Sequence, residues 1–202
     1  MLRAVSVFAT SIQDARSLTA LYDYLTTAVP SPFSYDDLLR SQIVYSVSAF
    51  DKLIHELVRI GMVATFMGSR VASPKYHAES ISIQFYGVLL AATLPPKEIL
   101  FEQEIARKLK TMSFQDPTKV ADGLSYIWDE KDKWTKIASA MGWPAEDAKT
   151  KLKLIVGRRN AIVHESDCDP LSNIKSPITR AECNDVTDFV ELCGNSIGSL
   201  VI

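Results

Sequence analysis

With 202 residues, of which 47% are hydrophobic and 23% charged, the chain is long enough for one sizeable core and has ordinary globular composition. Its net charge of −2 excludes a protein that coats nucleic acid nonspecifically, while leaving room for a local basic patch. No apolar run reaches the ~18 residues that a membrane span needs, so no membrane partner is expected.

Residues 1–29 carry Val5, Val7, Phe8, Ile12, Leu18, Leu21, Tyr22 and Leu25 at roughly helical spacing. They predict an added amphipathic helix or helical pair, packed on the core or on a partner. Residues 1–33 are therefore read as an N-terminal helical extension, and 34–202 as the main helical domain. Pro30 and Pro32 break the pattern. Ser34 with Asp37 resembles a capping box, and the longest helical signal runs from there to about Met67. Within it Leu39, Ile43, Val47, Phe50, Ile54, Leu57 and Gly61 follow three- and four-residue steps, the mark of a helix buried along most of its length. Asp51 and His55 stand one turn apart beside that stripe, as an i,i+4 pair or with Asp51 serving an arginine elsewhere.

Residues 68–80 read as a loop. In 81–94, Ile81, Ile83 and Phe85 alternate like a strand, while Phe85, Leu89 and Ala92 keep a helical step. No second strand signal of comparable quality occurs, so a helix is predicted. Pro95 and Pro96 end it, and Phe101, Ile105, Leu109 and Met112 mark the next. A loop at 116–123 leads to a short helix around 127–141, with Trp128 and Trp134 as anchors to the core. Beyond Pro170, Thr179 and Glu182 resemble a second capping box, opening a final helix with Val186, Phe189, Val190, Cys193, Ile197 and Leu200 on its apolar face. Six or seven helices with no hairpin and no repeat predict an all-α helical bundle. Cys168, Cys183 and Cys193 form no CxxC pair, and with no cleavable leader after Met1 they fit free thiols in a reducing, cytoplasmic setting.

The densest chemistry lies in residues 143–170, WPAEDAKTKLKLIVGRRNAIVHESDCDP. Pro144 with Glu146 and Asp147 opens a predicted helix over ~145–165. Ala148, Leu152, Ile155, Val156, Ile162 and Val163 share one stripe, and Arg159 lies near its middle. A lone buried charge costs several kcal/mol, so Arg159 requires a carboxylate, a carbonyl or an anion from outside. Asp51 is the first candidate for that carboxylate. The neighbouring face carries Lys149, Lys153, Asn160 and His164, which is polar and basic. Between Lys119 and Asn160 nine Lys and Arg stand against six Asp and Glu, a local excess of three in a chain otherwise net negative. A solvated helical face accounts for that excess as well as an RNA-binding one. His164 and Cys168 find no second ligand pair nearby, so neither a metal nor any other cofactor is expected.

The string Arg158-Arg159-Asn160-Ala161-Ile162-Val163-His164-Glu165-Ser166-Asp167 resembles the R-x4-6-H signature of HEPN-superfamily ribonucleases, including the asparagine that often follows the arginine. Upstream, Ser48-Ala49-Phe50-Asp51-Lys52-Leu53-Ile54-His55-Glu56-Leu57 resembles the first long helix of the RiboL-PSP-type HEPN branch. Together the two strings tie roughly residues 35–200 to that branch. The resemblance implies a metal-independent endoribonuclease of the toxin or phage-defence kind, leaving a 2′,3′-cyclic phosphate and a 5′-hydroxyl. In that reading His164 is the proton donor or acceptor, Arg159 supplies fixed charge, and Asn160 orients His164 or the phosphate. Arg158 and Asp51 support them, and Lys149 and Lys153 meet the RNA backbone.

Arg159 and His164 stand five residues apart, about 140° around a helix and ~7.5 Å along it, and one chain offers one motif histidine for two proton transfers. The resemblance answers both points with a homodimer that shares a composite site, or a heterodimer with a related chain. In toxins of the R-x4-H-x-Y kind a tyrosine two places after the histidine is modified by the antitoxin; here that position is Ser166. The resemblance therefore carries the nuclease motif without that mode of control, and leaves an antitoxin or regulatory partner unidentified. Two other readings stand beside it: a module that binds RNA or a nucleotide without cutting it, and a helical interaction or regulatory subunit.

Overall fold

A computed structural model describes residues 1–202 as nine α-helices with no β-strand. They are α1 (Leu2–Ala28), α2 (Asp36–Phe66), α3 (Pro74–Ala78), α4 (Ile83–Ala91), α5 (Lys97–Leu109), α6 (Pro117–Leu124), α7 (Lys133–Met141), α8 (Ala145–His164) and α9 (Arg180–Val201). The all-α expectation holds. No helix is long and apolar enough to cross a membrane.

The central element is α2, which packs against α1, α5, α6, α8 and α9. All seven residues of its predicted stripe, Leu39 through Gly61, are buried. Around it Phe8 and Ile12 from α1, Ile105 from α5, Leu152 from α8 and Ile197 from α9 join one continuous apolar cluster. The first helix thus shares the core of the remainder. It settles closely on α9 because residue 194 is glycine: a Cβ there would stand 2.5 Å from the Phe8 ring. A buried polar seam crosses the same three helices. Gln42 accepts from the Thr19 hydroxyl and donates to Thr187 Oγ1 at 2.9 Å, which lies 3.0 Å from Ser46 Oγ. Such a satisfied network fixes the rotation of each helix, where apolar contact alone tolerates slippage.

The predicted count of six or seven helices falls short by α3 and α6, both read as loops from the sequence. Each is held by local chemistry. Ser73 accepts from the Tyr76 amide and Asp116 from the Thr118 amide, with Pro74 and Pro117 at the first helical positions. The capping box expected at Thr179 and Glu182 is present on both sides. The one expected at Ser34 and Asp37 is not: α2 starts at Asp36, and Ser34 accepts only from the Asp36 amide. The segment over 127–141 starts its helix later, at Lys133. Trp134 anchors it by donating to the Pro117 carbonyl at 2.7 Å, and Trp128, half-buried, lies under Lys133.

All three cysteines are free. Burial pushes the Cys183 thiol up to about 11 and Cys193 up to about 12, whereas Cys168 is partly exposed. The thiolate is the reactive form. At neutral pH a maleimide is expected to label one thiol per native chain, at Cys168, and three after denaturation, as counted by intact mass. Fast labelling of Cys193 in the native protein would contradict the packing of α9.

Candidate active site

Helix α8 forms where the sequence places it, with Pro144 just before its first residue, Glu146 and Asp147 in its first turn, and His164 as its last helical residue. Its buried stripe is narrower than expected. Ala148, Leu152 and Ile155 are buried, Val156 and Ile162 half-buried, and Val163 is exposed near the helix end. Arg159 sits on this side, so its stem is covered while the end of the guanidinium reaches the surface. Nη1 donates to Asn160 Oδ1 at 3.0 Å, and Nε is buried without a hydrogen-bond partner.

No carboxylate meets Arg159, and Asp51 is engaged elsewhere. Its Oδ1 accepts from the Phe114 amide at 2.6 Å and its Oδ2 from the Gln115 side chain at 3.3 Å, with His55 Nε2 at 3.8 Å from Oδ1. It fastens the loop after α5 to α2. The support expected from Asp51 for Arg159 or His164 is therefore corrected: Asp51 is a structural acid.

The carboxylate of this region goes to the neighbouring arginine. Asp167, its side chain 1% exposed, receives Nη2 of Arg158 at 2.9 Å and Nε of Arg40 from α2 at 2.7 Å, both on Oδ2. Its Oδ1 is buried without a partner. The two guanidiniums also donate to the chain beyond, Arg40 to the Ser176 carbonyl at 2.7 Å and Arg158 to the Pro177 carbonyl at 3.0 Å. Ser166 and Asp167 adopt left-handed φ of 54° and 59°, a conformation that costs a non-glycine residue roughly 1 kcal/mol and persists where surroundings impose it. The Asp167 amide donates to the Ala161 carbonyl and its carbonyl accepts from the Ser176 amide, both within 2.9 Å. Between these bonds the chain makes a short exposed excursion, whose tip turns about Asp169 Oδ1 and the amides of Leu171 and Ser172. Sequence reasoning missed Arg40 and the role of Asp167; the signal was an acid three places after the motif histidine.

Asn160 and His164 are exposed on the outer face of α8, with Lys153 two turns before Asn160. Lys149, on the same face, is paired with Glu146. Gly157 lies among them, and a Cβ there would meet nothing within 4 Å. None of the main cavities of the chain is lined by Arg159, Asn160 or His164: one of about 490 Å³ reaches Lys149, and one of about 250 Å³ between α2, α8 and α9 is bordered by Arg158. The motif thus lies on an open convex face. One chain offers an imidazole, an amide and a cation without a carboxylate, and no wall opposite them.

A model of the family described as RiboL-PSP-HEPN matches residues 9–201. No curated protein and no solved structure matches the chain.

Proposed function

The chain belongs to the RiboL-PSP-HEPN family, and from that membership we propose that it is an endoribonuclease whose site is completed by a second copy of α8. The observation that carries this reading is the charge on Arg159. Two adjacent arginines lie in the second half of α8; Asp167 neutralises Arg158, and Arg159 has only the amide oxygen of Asn160. A guanidinium held this way is ready for a phosphate.

RNA brings its own nucleophile. His164 of one copy takes the proton of the 2′-hydroxyl, whose oxygen attacks the adjacent phosphorus, and His164 of the partner subunit gives a proton to the departing 5′-oxygen. Arg159 and Asn160 hold the non-bridging oxygens as their charge grows. The products are a 2′,3′-cyclic phosphate and a 5′-hydroxyl. Two copies supply the two imidazoles and the missing wall together, with Lys153 and Lys149 along the approach of the strand. An activity needing nothing but RNA and the folded dimer fits a toxin or phage-defence effector, held in check by an antitoxin or another regulatory partner.

The experiment is incubation of the purified protein with tRNA and a generic mRNA in EDTA, followed by analysis of product ends and of mass in solution. Cyclic-phosphate ends formed by a dimer are the expected result. Intact RNA with saturable, salt-weakened binding would replace this reading by a non-catalytic RNA-binding module, and neither binding nor cleavage by an interaction subunit.

A further inference from the structure

Resting on the ribonuclease reading of α8, we propose that the cavity between α2, α8 and α9 is a base-recognition pocket, which takes a guanine of the RNA beside the cleaved bond. Ile43 of α2, Ile155 of α8 and Val186 of α9 give it an apolar floor. Ile43 and Ile155 are buried in the packed interior, so that floor is firm. Lys151 and Arg158 of α8 and Glu182 and Asp185 of α9 supply its polar lining. At about 250 Å³ the cavity is smaller than the ~300–1,000 Å³ of sites that enclose a whole small molecule. It suits one flat ring system, with the sugar and phosphate left outside.

The pocket adjoins the place of cleavage. Arg158 borders it, and Arg159, the next residue, holds the phosphate in the ribonuclease reading. The two stand 100° apart on a helix ~11 Å across, so their side chains leave it on flanks roughly 8 Å apart. One nucleotide covers that interval from its phosphate to its base. Single-stranded RNA can turn its bases out into such pockets, because no duplex holds them stacked.

Hydrogen-bonding capacity selects guanine. Three polar groups of the lining are each held in place through one atom and keep another for a ligand. Arg158 uses Nη2 for Asp167 and the Pro177 carbonyl, Glu182 uses Oε2 for Thr179 at the start of α9, and Asp185 uses Oδ2 for Lys151. Arg158 Nε and Nη1, Glu182 Oε1 and Asp185 Oδ1 make no hydrogen bond within the chain, and all three side chains reach solvent. The pocket thus offers donors from α8 and two acceptors from α9, three residues apart on one helix face. Guanine answers with O6 and N7 as acceptors and with N1–H and N2–H₂ as two adjacent donors. Adenine, cytosine and uracil each present a single donor group.

The test has two arms. In the first, 2′-O-methyl oligonucleotides, whose blocked 2′-oxygen prevents cleavage, bind the full chain in a fluorescence-anisotropy titration; each is a run of uridines with one central guanine, inosine or adenine. Guanine is expected to bind about 10–100-fold more tightly than adenine, with inosine, which lacks the N2 amino group, between them. Glu182→Gln/Asp185→Ala removes both charged acceptors, and glutamine still serves the capping box at Thr179; this variant is expected to lose the preference. In the second arm the product ends of ordinary RNA are mapped: the parent cuts beside guanine, and the variant cuts without that choice. Equal affinity for the three strands, a preference undiminished in the variant, or parental ends that ignore guanine overturns the pocket, and any cleavage then seen leaves the ribonuclease reading standing. A guanine preference lost in the variant, with ordinary RNA left intact by the parent, supports the pocket and overturns the ribonuclease reading instead.

Discussion

Arg159→Met is expected to abolish RNA cleavage while leaving the protein as stable as the parent or more so. The two effects share one cause. Nε of Arg159 is buried without a partner, and an orphaned buried donor costs about 1–3 kcal/mol. Methionine keeps a long flexible stem for the same groove and removes that donor. Losing the guanidinium removes a contact to charge developing on the phosphate, the kind of interaction worth ~10²–10³ in rate. Single-turnover cleavage and thermal unfolding measure the two halves. Cleavage at the parental rate would remove Arg159 from the site, and an inactive variant several degrees less stable would make it a structural residue. His164→Ala probes the other half of the motif. His164 is exposed at the helix end, so stability should stay within ~0.5 kcal/mol. Cleavage should fall by ~10²–10⁴, the scale of lost proton transfer. A His164→Ala protein that cuts normally would leave the proposed chemistry without its acid and base.

Asp167→Ala should have the largest effect on folding, about 3–5 kcal/mol, the scale of breaking a buried ion pair from one side. Two arginines converge on one oxygen of this carboxylate, and the side chain of Arg40 is 7% exposed. Alanine would leave both guanidiniums facing an empty place and would hold a left-handed φ of 59° less well than aspartate. Asp167→Asn should cost less, because asparagine tolerates that backbone and keeps one oxygen as an acceptor. Urea unfolding with an unchanged m-value reads the difference. A loss under about 1 kcal/mol for Asp167→Ala would mean that water reaches Arg40, and that it is not desolvated as its 7% exposure indicates.

The long helices were legible because α2 and α9 bury continuous stripes, and a stripe of five or more turns is hard to mistake. The five-residue α3 and eight-residue α6 were not, since one or two turns give no period and their stability rests on Ser73, Asp116 and the prolines behind them. In the motif, periodicity put Arg159 on the covered side of α8 and Lys153, Asn160 and His164 on the outer one. It gave no view of what stands across from them. Asp51 and Arg40 lie on the same helix, eleven residues apart, and only the packing of α2 against α8 decides which end meets the motif. That decision rests on interhelical geometry, which a single sequence does not carry. Arg158 and Arg159 differ by 100° of helical rotation, and this alone gives one a carboxylate and leaves the other without.

The excursion after α8 has a use apart from any chemistry. Its base is fastened by Asp167, Arg40 and Arg158 on one side and by Ser176 and Pro177 on the other, whereas its tip at Leu171 and Ser172 is exposed and bonded only within itself. A chain interrupted between those two residues would still find its severed ends docked side by side. The later fragment carries all of α9, whose Phe189, Val190, Cys193, Ile197 and Val201 belong in the core. Protease nicking between Leu171 and Ser172 is therefore expected to leave the two pieces associated, eluting together on size exclusion under native conditions and separating only in denaturant.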